Sequence, residues 1–143
     1  MAVIRANFEG PALLLGELAN RFEKRNRGCL IGVSSVAGDR GRARNYVYGA
    51  AKAGFTAFLS GLRNRLAAKS VRVLTIKPGF VATRMTDGMA LPPALTAAPD
   101  DVGRAIYAAY ASGRDIVYVR PVWRVIMAVI RMLPEAVFKR LDL

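Results

Sequence analysis

The sequence predicts an α/β fold with a small parallel sheet, and three observations carry that expectation. Two short apolar runs, residues 29–33 and 71–77, are bounded by turn-forming residues. Each follows a segment whose apolar residues recur at three and four. Strand, helix and strand in that order make a right-handed parallel unit, in which ligands sit beyond the carboxyl ends of the strands.

The elements follow in order. Over residues 7 to about 27, Phe8, Leu15, Leu18 and Phe22 fall on one helical stripe, while Glu17, Arg21, Lys24 and Arg25 take other faces. Asn7 opens this helix in a capping position, Pro11 sits in a first turn where no intrahelical bond is lost, and Asn26-Arg27-Gly28 stops it. Residues 29–33 lie between Gly28 and Ser34 and are apolar throughout, as in a strand covered on both faces. The loop over residues 39–44 is polar, and Arg40, Arg42 and Arg44 read as a solvated edge, with phosphate contact to a substrate or cofactor as the alternative.

Ala51, Gly54, Phe55, Phe58, Leu59, Leu62 and Leu66 then mark a second long helix whose opening turns carry Tyr48 and Lys52. Residues 71–77 form the next strand, ended by Pro78-Gly79. Residues 84–99 lose periodicity and hold Met85, Met89, Leu91 and Pro92-Pro93, which suits either an adaptable lid over an apolar substrate or a passive connection. A helix over residues 100–112 turns Val102, Ile106 and Ala109 inward, and residues 115–119 make a short last strand. Residues 122–133 are apolar except for Arg124 and Arg131, which with Arg120 share a helical stripe before Pro134 interrupts. Trp123 beside these cations fits a helix lying in a membrane surface, or one packed on the domain or on a second subunit.

At 143 residues with 53% hydrophobic composition, the chain is one domain's worth of sequence with enough apolar side chains for a core. The net charge of +12 invites a nucleic-acid partner, but the cations are spread along the chain with no basic tail or nucleic-acid motif, so no nucleic-acid binding is expected. Cys29 is the only cysteine and there is no histidine, which excludes an intrachain disulfide and leaves transition metals without their usual ligands. No signal-peptide layout and no apolar run of membrane-spanning length occur, so a cytoplasmic location is expected, with peripheral attachment to the inner membrane face if the tail touches lipid.

The chemistry gathers between Ser34 and Lys52. Residues four apart on a helix share a face, so Tyr48 and Lys52 point into one cleft and Tyr46 does not. A phenol at its ordinary pKa of about 10 is a poor acid or base at neutral pH, and a nearby cation favours its ionised form. Ser35, at the end of a strand beside this helix, can hydrogen-bond a substrate oxygen to or from which Tyr48 passes a proton. Together the three would interconvert a carbonyl and an alcohol.

Ser35 thirteen positions before Tyr48 in Tyr-x-x-x-Lys resembles the active-site stretch of the short-chain dehydrogenase/reductase family. Asn7, Ser34-Ser35-Val36-Ala37-Gly38 after a strand, and Pro78-Gly79-Phe80-Val81-Ala82-Thr83 after the next strand agree in order. The resemblance implies a partial Rossmann-type three-layer fold and an NAD or NADP cofactor. It assigns Tyr48 as acid or base, Lys52 as its electrostatic partner and a ribose contact, and Ser35 as the group orienting the carbonyl. It also implies that Asn7 shapes a helical turn whose backbone carbonyl holds a water of a proton relay. The turn Pro78-Gly79 would let backbone groups near Val81 and the Thr83 hydroxyl hold the carboxamide and phosphate side of the cofactor. Family members usually pair through the two long helices, which implies a homo-oligomer.

Ser34 to Arg42, Asn45-Tyr46-Val47-Tyr48-Gly49 and the closing residues 131–140 are similar to the keto-reductase subunit of decaprenylphosphoryl-ribose epimerase. That narrower likeness implies a lipid-linked substrate and a tail at the bilayer, where the family at large implies a small-molecule carbonyl or alcohol.

Neither Gly-x-x-x-Gly-x-Gly nor Gly-x-Gly-x-x-Gly occurs, so the turn that receives a dinucleotide pyrophosphate is missing. Residues 1–119 therefore read as the carboxyl-terminal half of such a domain, lacking the glycine-rich βαβ half, and residues 120–143 as a basic amphipathic tail. The nicotinamide end of the site is present and the adenine end, which chooses NAD or NADP, is not. One flank of the strand at residues 29–33 is expected to lack a neighbour, which suits a truncated gene product, a fragment or a chain completed by another. Two readings outside catalysis are a regulatory interaction module and a membrane-surface module. The isolated polypeptide is expected to bind NAD(P)H only weakly in a fluorescence titration, and micromolar affinity without a partner chain would overturn that expectation.

Overall fold

The computed structural model describes residues 1–141, so the last two residues of the predicted tail lie outside the described residues. The chain enters directly as helix: α1 (Ala2–Ile4), a π-helical turn (Arg5–Glu9) and α2 (Gly10–Arg25). Asn7 therefore does not open a helix, as the sequence suggested, but sits inside the π turn with its amide nitrogen donating to the Val3 carbonyl at 3.1 Å. Pro11 is the physical reason. It has no amide to return to the carbonyl of Asn7 four residues earlier, and the ladder slips by one residue so that Gly10 N–H bonds Arg5 O.

Asn26 stops α2 in the left-handed region at φ 55°, and β1 (Gly28–Val33) follows. A crossover through α3 (Tyr46–Leu66) leads to β2 (Val71–Pro78). Two short strands, β3 (Phe80–Val81) and β4 (Thr96–Ala97), pair in parallel and pin both ends of the aperiodic segment between them. The chain then runs through α4 (Pro99–Ala111) and β5 (Ile116–Val119) to α5 (Val122–Met132) and the short α6 (Glu135–Phe138).

The main sheet is parallel in the order β1-β2-β5, with Gly28 opposite Val71, Val33 opposite Ile76, and Thr75 opposite Ile116. On one face, Leu30 and Val73 pack with Phe55, Leu59, Leu62 and Leu66 of α3 and Ala19 of α2. On the other, Leu74, Ile76 and Val119 pack with Ala109 of α4, flanked by Val102 and Ile106. This is the expected three-layer parallel arrangement. It is incomplete at β1, which has one strand neighbour among the described residues. The expectation of a strand covered on both faces fails there: Leu30 and Gly32 are buried, but Ile31 and Val33 are 36% and 44% exposed. The helix α4 covers β2 and β5 and leaves this outer face of β1 open.

The tail is not a loose appendage. Trp123 and Met127 of α5 are buried with Val36, and Phe80, Leu95, Tyr118, Ile126 and Ile130 complete a third core. Trp123 is thus unavailable to a membrane interface, and its indole N–H donates to the Leu95 carbonyl at 3.0 Å. Arg120 leaves the stripe expected for it, because it precedes the helix at φ 60° and donates to the Ala94 carbonyl.

Beneath the tail lies an ionic node. The Lys77 ammonium donates to Asp39 Oδ1 at 2.5 Å and the Tyr118 hydroxyl to Asp39 Oδ2 at 2.7 Å. The Lys77 and Asp39 side chains are only 7% and 3% exposed. Burial, then the hydrogen bond and charge of Asp39, push the Tyr118 phenol well above its usual range, so it remains a donor at physiological pH. Removing one partner of a buried pair strands the other charge. Asp39→Ala is accordingly expected to cost about 3 kcal/mol or more in a urea unfolding experiment, and an unchanged midpoint would contradict the node's role.

Candidate active site

The cleft beyond the carboxyl ends of β1 and β2 has a volume of about 350 Å³. Asn7, Ser35, Tyr48, Lys52, Pro78, Gly79, Val81 and Thr83, the residues singled out from sequence, all line it. Four local structures bring them together.

Ser34 and Ser35 end β1 and divide the work between them. The Ser34 hydroxyl donates to the Lys52 carbonyl at 3.0 Å and lies 2.6 Å from the Thr56 hydroxyl, fastening the strand end to α3. Ser35 caps the 3-10 turn Val36–Gly38, its Oγ accepting the Ala37 amide at 3.1 Å. Its own proton is left to donate, with the Pro78 carbonyl 3.5 Å away as the resting acceptor.

Two glycines then bring the Ser35 loop against α3. A Cβ at Gly38 would stand 2.6 Å from the Lys52 carbonyl carbon, and one at Gly49 would stand 2.9 Å from the Ala37 oxygen. Loop backbone and helix backbone therefore touch directly at the turn of α3 that carries Tyr48 and Lys52. Tyr48 is half-buried in the cleft wall, and Tyr46 is 67% exposed outside it, as the helical spacing requires. The Lys52 ammonium lies 5.7 Å from the centre of the Tyr48 ring and donates to the Val33 carbonyl at 3.1 Å. Burial lowers its pKa from the ordinary lysine value, since the charged form loses hydration.

The opposite wall is the turn after β2. Gly79 is required there by a close approach, because a Cβ would fall 1.9 Å from Trp123 Nε1. The Val81 carbonyl is taken by the Thr86 hydroxyl at 2.7 Å. The Thr86 amide donates to the Thr83 main-chain carbonyl at 2.9 Å and the Thr86 hydroxyl accepts the Thr83 amide at 3.0 Å, so the turn is closed by Thr86 while the Thr83 side chain lines the cleft. Met85 and Met89 reach the cleft from the segment between β3 and β4.

Of the three loop arginines expected to form a solvated edge, Arg44 is exposed, while Arg40 and Arg42 are half-buried. Arg40 crosses to the tail, donating to the Ile130 and Leu133 carbonyls at 2.8 and 2.6 Å and to Glu135, with its guanidinium 4.0 Å from the Phe138 ring centre. The carbonyls at the end of α5 are thereby capped from the Ser35 loop. Arg44 is also engaged. Arg42 and Asn45 line the cleft, a placement that sequence reasoning did not single out. Lys77 carried a readable signal, because a charge inside an apolar strand demands a buried partner.

A nicotinamide group fits this donor set. The lining residues include Lys52 and Thr83 and no Asp or Glu, which suits the carboxamide and phosphate side of such a cofactor. No glycine-rich turn is present to hold its far end.

Residues 1–91 match the sequence profile of the family described as short chain dehydrogenase. An uncharacterized oxidoreductase of Mycobacterium tuberculosis is 39% identical over 141 residues, covering 99% of this chain and 56% of that protein. Acetoacetyl-CoA reductase of Allochromatium vinosum is 34% identical over 127 residues, covering 82% of this chain and 51% of that protein. A short-chain dehydrogenase from Burkholderia cenocepacia, solved in complex with NADP, superposes with a TM-score of 0.82 at 24% identity, over 96% of this chain and 56% of that one. The chain thus spans about half the length of the relatives it matches.

The contact at Gly38 is testable through stability. Gly38→Ala must force the loop off α3, since the obstacle is backbone and cannot rotate away. A loss of about 1–3 kcal/mol in urea unfolding is expected, and wild-type stability would show that the contact does not set the loop's position.

Proposed function

This chain belongs to the short-chain dehydrogenase family, and from that premise we propose that it forms the catalytic half of an oxidoreductase interconverting a carbonyl and a secondary alcohol. The observation that carries the proposal is the gathering of Asn7, Ser35, Tyr48, Lys52 and the turn at residues 78–83 around one cleft. When bound, a nicotinamide cofactor, NAD or NADP, supplies or accepts the hydride. Tyr48, Lys52, Pro78, Gly79, Val81 and Thr83 would hold its nicotinamide end.

The chain's own residues handle the proton. Ser35 donates a hydrogen bond to the substrate oxygen, a role open to it because its lone pair is already engaged by the Ala37 amide. Tyr48 gives that oxygen a proton during reduction and removes one during oxidation. The Lys52 ammonium, anchored on Val33, stabilises the phenolate that Tyr48 becomes after giving up its proton. Asn7 would serve through its main-chain carbonyl, which Pro11 deprives of its α-helical donor, by holding a relay water.

The intact trio of Ser35, Tyr48 and Lys52 gives no support to a non-catalytic interaction module. Homo-oligomerisation through the long helices is supported by Leu13 and Leu14, exposed on α2, with Leu13 beside Phe58 of α3. The narrower form of the proposal, a lipid-linked substrate handled at a membrane face by a cytoplasmic protein, is supported by the outward stripe of Val122, Val125, Val129 and Met132 on α5. No helix among the described residues is long and apolar enough to cross a membrane.

Joined to, or mixed with, the amino-terminal half its relatives possess, the chain is expected to oxidise secondary alcohols or reduce ketones with a nicotinamide cofactor. Tyr48→Phe in that assembly should lower turnover at least 100-fold, in line with the roughly 10²–10⁴ that general acid–base catalysis contributes, while far-UV circular dichroism stays unchanged. Retained turnover would exclude Tyr48 as the proton donor.

A further inference from the structure

We propose that Arg42 and Asn45 form an anion-and-hydroxyl subsite in the cleft, so that the substrate carries an oxyanion, phosphate or carboxylate, with a hydroxyl group near it. That the occupant is the substrate rests on the dehydrogenase reading; the subsite itself rests on the geometry alone.

Two buried polar atoms among the described residues have no hydrogen-bond partner, Arg42 Nε and Asn45 Oδ1, and both residues line the same cleft. One is a donor and the other an acceptor. Both atoms are sealed from solvent at rest, so a ligand meets them only with a shift of these two side chains; leaving such a group unsatisfied costs about 1–3 kcal/mol, which a shift onto a ligand recovers. Neither orphan follows from a careless local conformation. Asn45 stands at the N-cap of α3, where an asparagine oxygen ordinarily accepts a helix amide, yet here its side chain caps nothing. Arg42 lies between Arg40, spent on the tail, and Arg44, also engaged, and has no carboxylate partner among the described residues. Its burial lowers its pKa, with desolvation the sole cause, as expected for a guanidinium that awaits a counter-charge.

Charge agrees with this assignment. The lining residues hold two cations, Arg42 and Lys52, and no Asp or Glu. A planar guanidinium is suited to oxyanions because it offers two parallel N–H donors. Position agrees as well. The Asn45 amide donates to the Arg42 carbonyl at 3.1 Å and the Gly49 amide to the Asn45 carbonyl at 2.8 Å, so both residues are tied to the first turn of α3 beside Tyr48. The backbone that carries both residues is thereby fixed relative to the turn of α3 that carries Tyr48.

The test is a titration of the 143-residue chain with inorganic phosphate and with glycerol 3-phosphate, read by amide NMR shifts. Saturable shifts at Arg42 and Asn45 are expected with both ligands. Arg42→Gln should weaken both by about tenfold or more, the scale of one charge-assisted hydrogen bond. Should that variant unfold, Arg42→Lys, which keeps a cation but removes the fork, is expected to weaken phosphate several-fold. Asn45→Ala should weaken glycerol 3-phosphate and spare inorganic phosphate. The double variant Arg124→Gln/Arg131→Gln, which removes two cations of a different cleft beside Lys77 and Tyr118, should leave the shifts at Arg42 and Asn45 unchanged. Equal binding by wild type and the Arg42 variants, or equal weakening by the α5 variant, would overturn the proposal. Phosphate binding involves no hydride transfer, so its failure leaves the dehydrogenase reading standing, and inactivity of a Tyr48 variant does not bear on the subsite.

Discussion

The site depends on one close approach, in which the loop carrying Ser35 lies with its backbone against the backbone of α3. Gly38 and Gly49 permit it, since a side chain at either position would meet main-chain atoms that have no way to yield. Ser34 adds two polar ties across the same seam, one to the Lys52 carbonyl and one to Thr56. A serine contributed by a strand end and a tyrosine contributed by a helix thus share one cleft without either residing on a flexible arm. Preorganisation of this kind is what a proton transfer needs, because donor and acceptor must already be within reach when substrate binds.

That seam is braced from behind by polar contacts in an apolar setting. Asp39, one residue beyond Gly38, holds Lys77 of β2 and Tyr118 of β5 at once, so the loop is bound to the central strand of the sheet and to its β5 edge. Arg40 then reaches the far end of α5, and Trp123 at its near end lies on Gly79. The carboxyl-terminal segment consequently belongs to the architecture of the site: it fastens the Ser35 loop at one end and the turn after β2 at the other. The buried charges are not a cheap source of stability, because desolvation offsets most of their attraction. Their contribution is to make one arrangement of the loop far better than its neighbours.

The sheet is unfinished on its β1 side. Ile31 and Val33 face outward from a strand with a free edge, and Val3, Leu13 and Leu14 are exposed on the adjoining helices. An open strand edge bordered by apolar side chains favours pairing with another chain. The relatives are about twice as long as this chain, and their additional length accords with an edge awaiting further strands.

Much of this was legible in the sequence because it depends on local patterns. Helical periodicity placed α2, α3 and α4, the apolar runs placed β1 and β2, and the four-residue spacing of Tyr48 and Lys52 put both on one face whatever the helix packs against. Other features were decided only by tertiary structure, since they depend on partners distant in sequence. Nothing near Asp39 announces a lysine 38 positions away, and Arg40 looks like a surface cation until the end of α5 arrives more than 90 residues later. Trp123 had the composition of a membrane anchor and became core because Gly79 left room for an indole. Asn7 was misplaced for a local reason of a different kind, since Pro11 reads equally well as a helix start or as a π turn until the preceding residues are seen to be helical. Sequence alone therefore determined which residue types stand at which spacings along each element, a matter of backbone geometry. The folded chain decided which of the many charges are spent on holding the site together and which, at Arg42, is left facing the cleft, because burial and pairing are properties of surfaces that meet only in three dimensions.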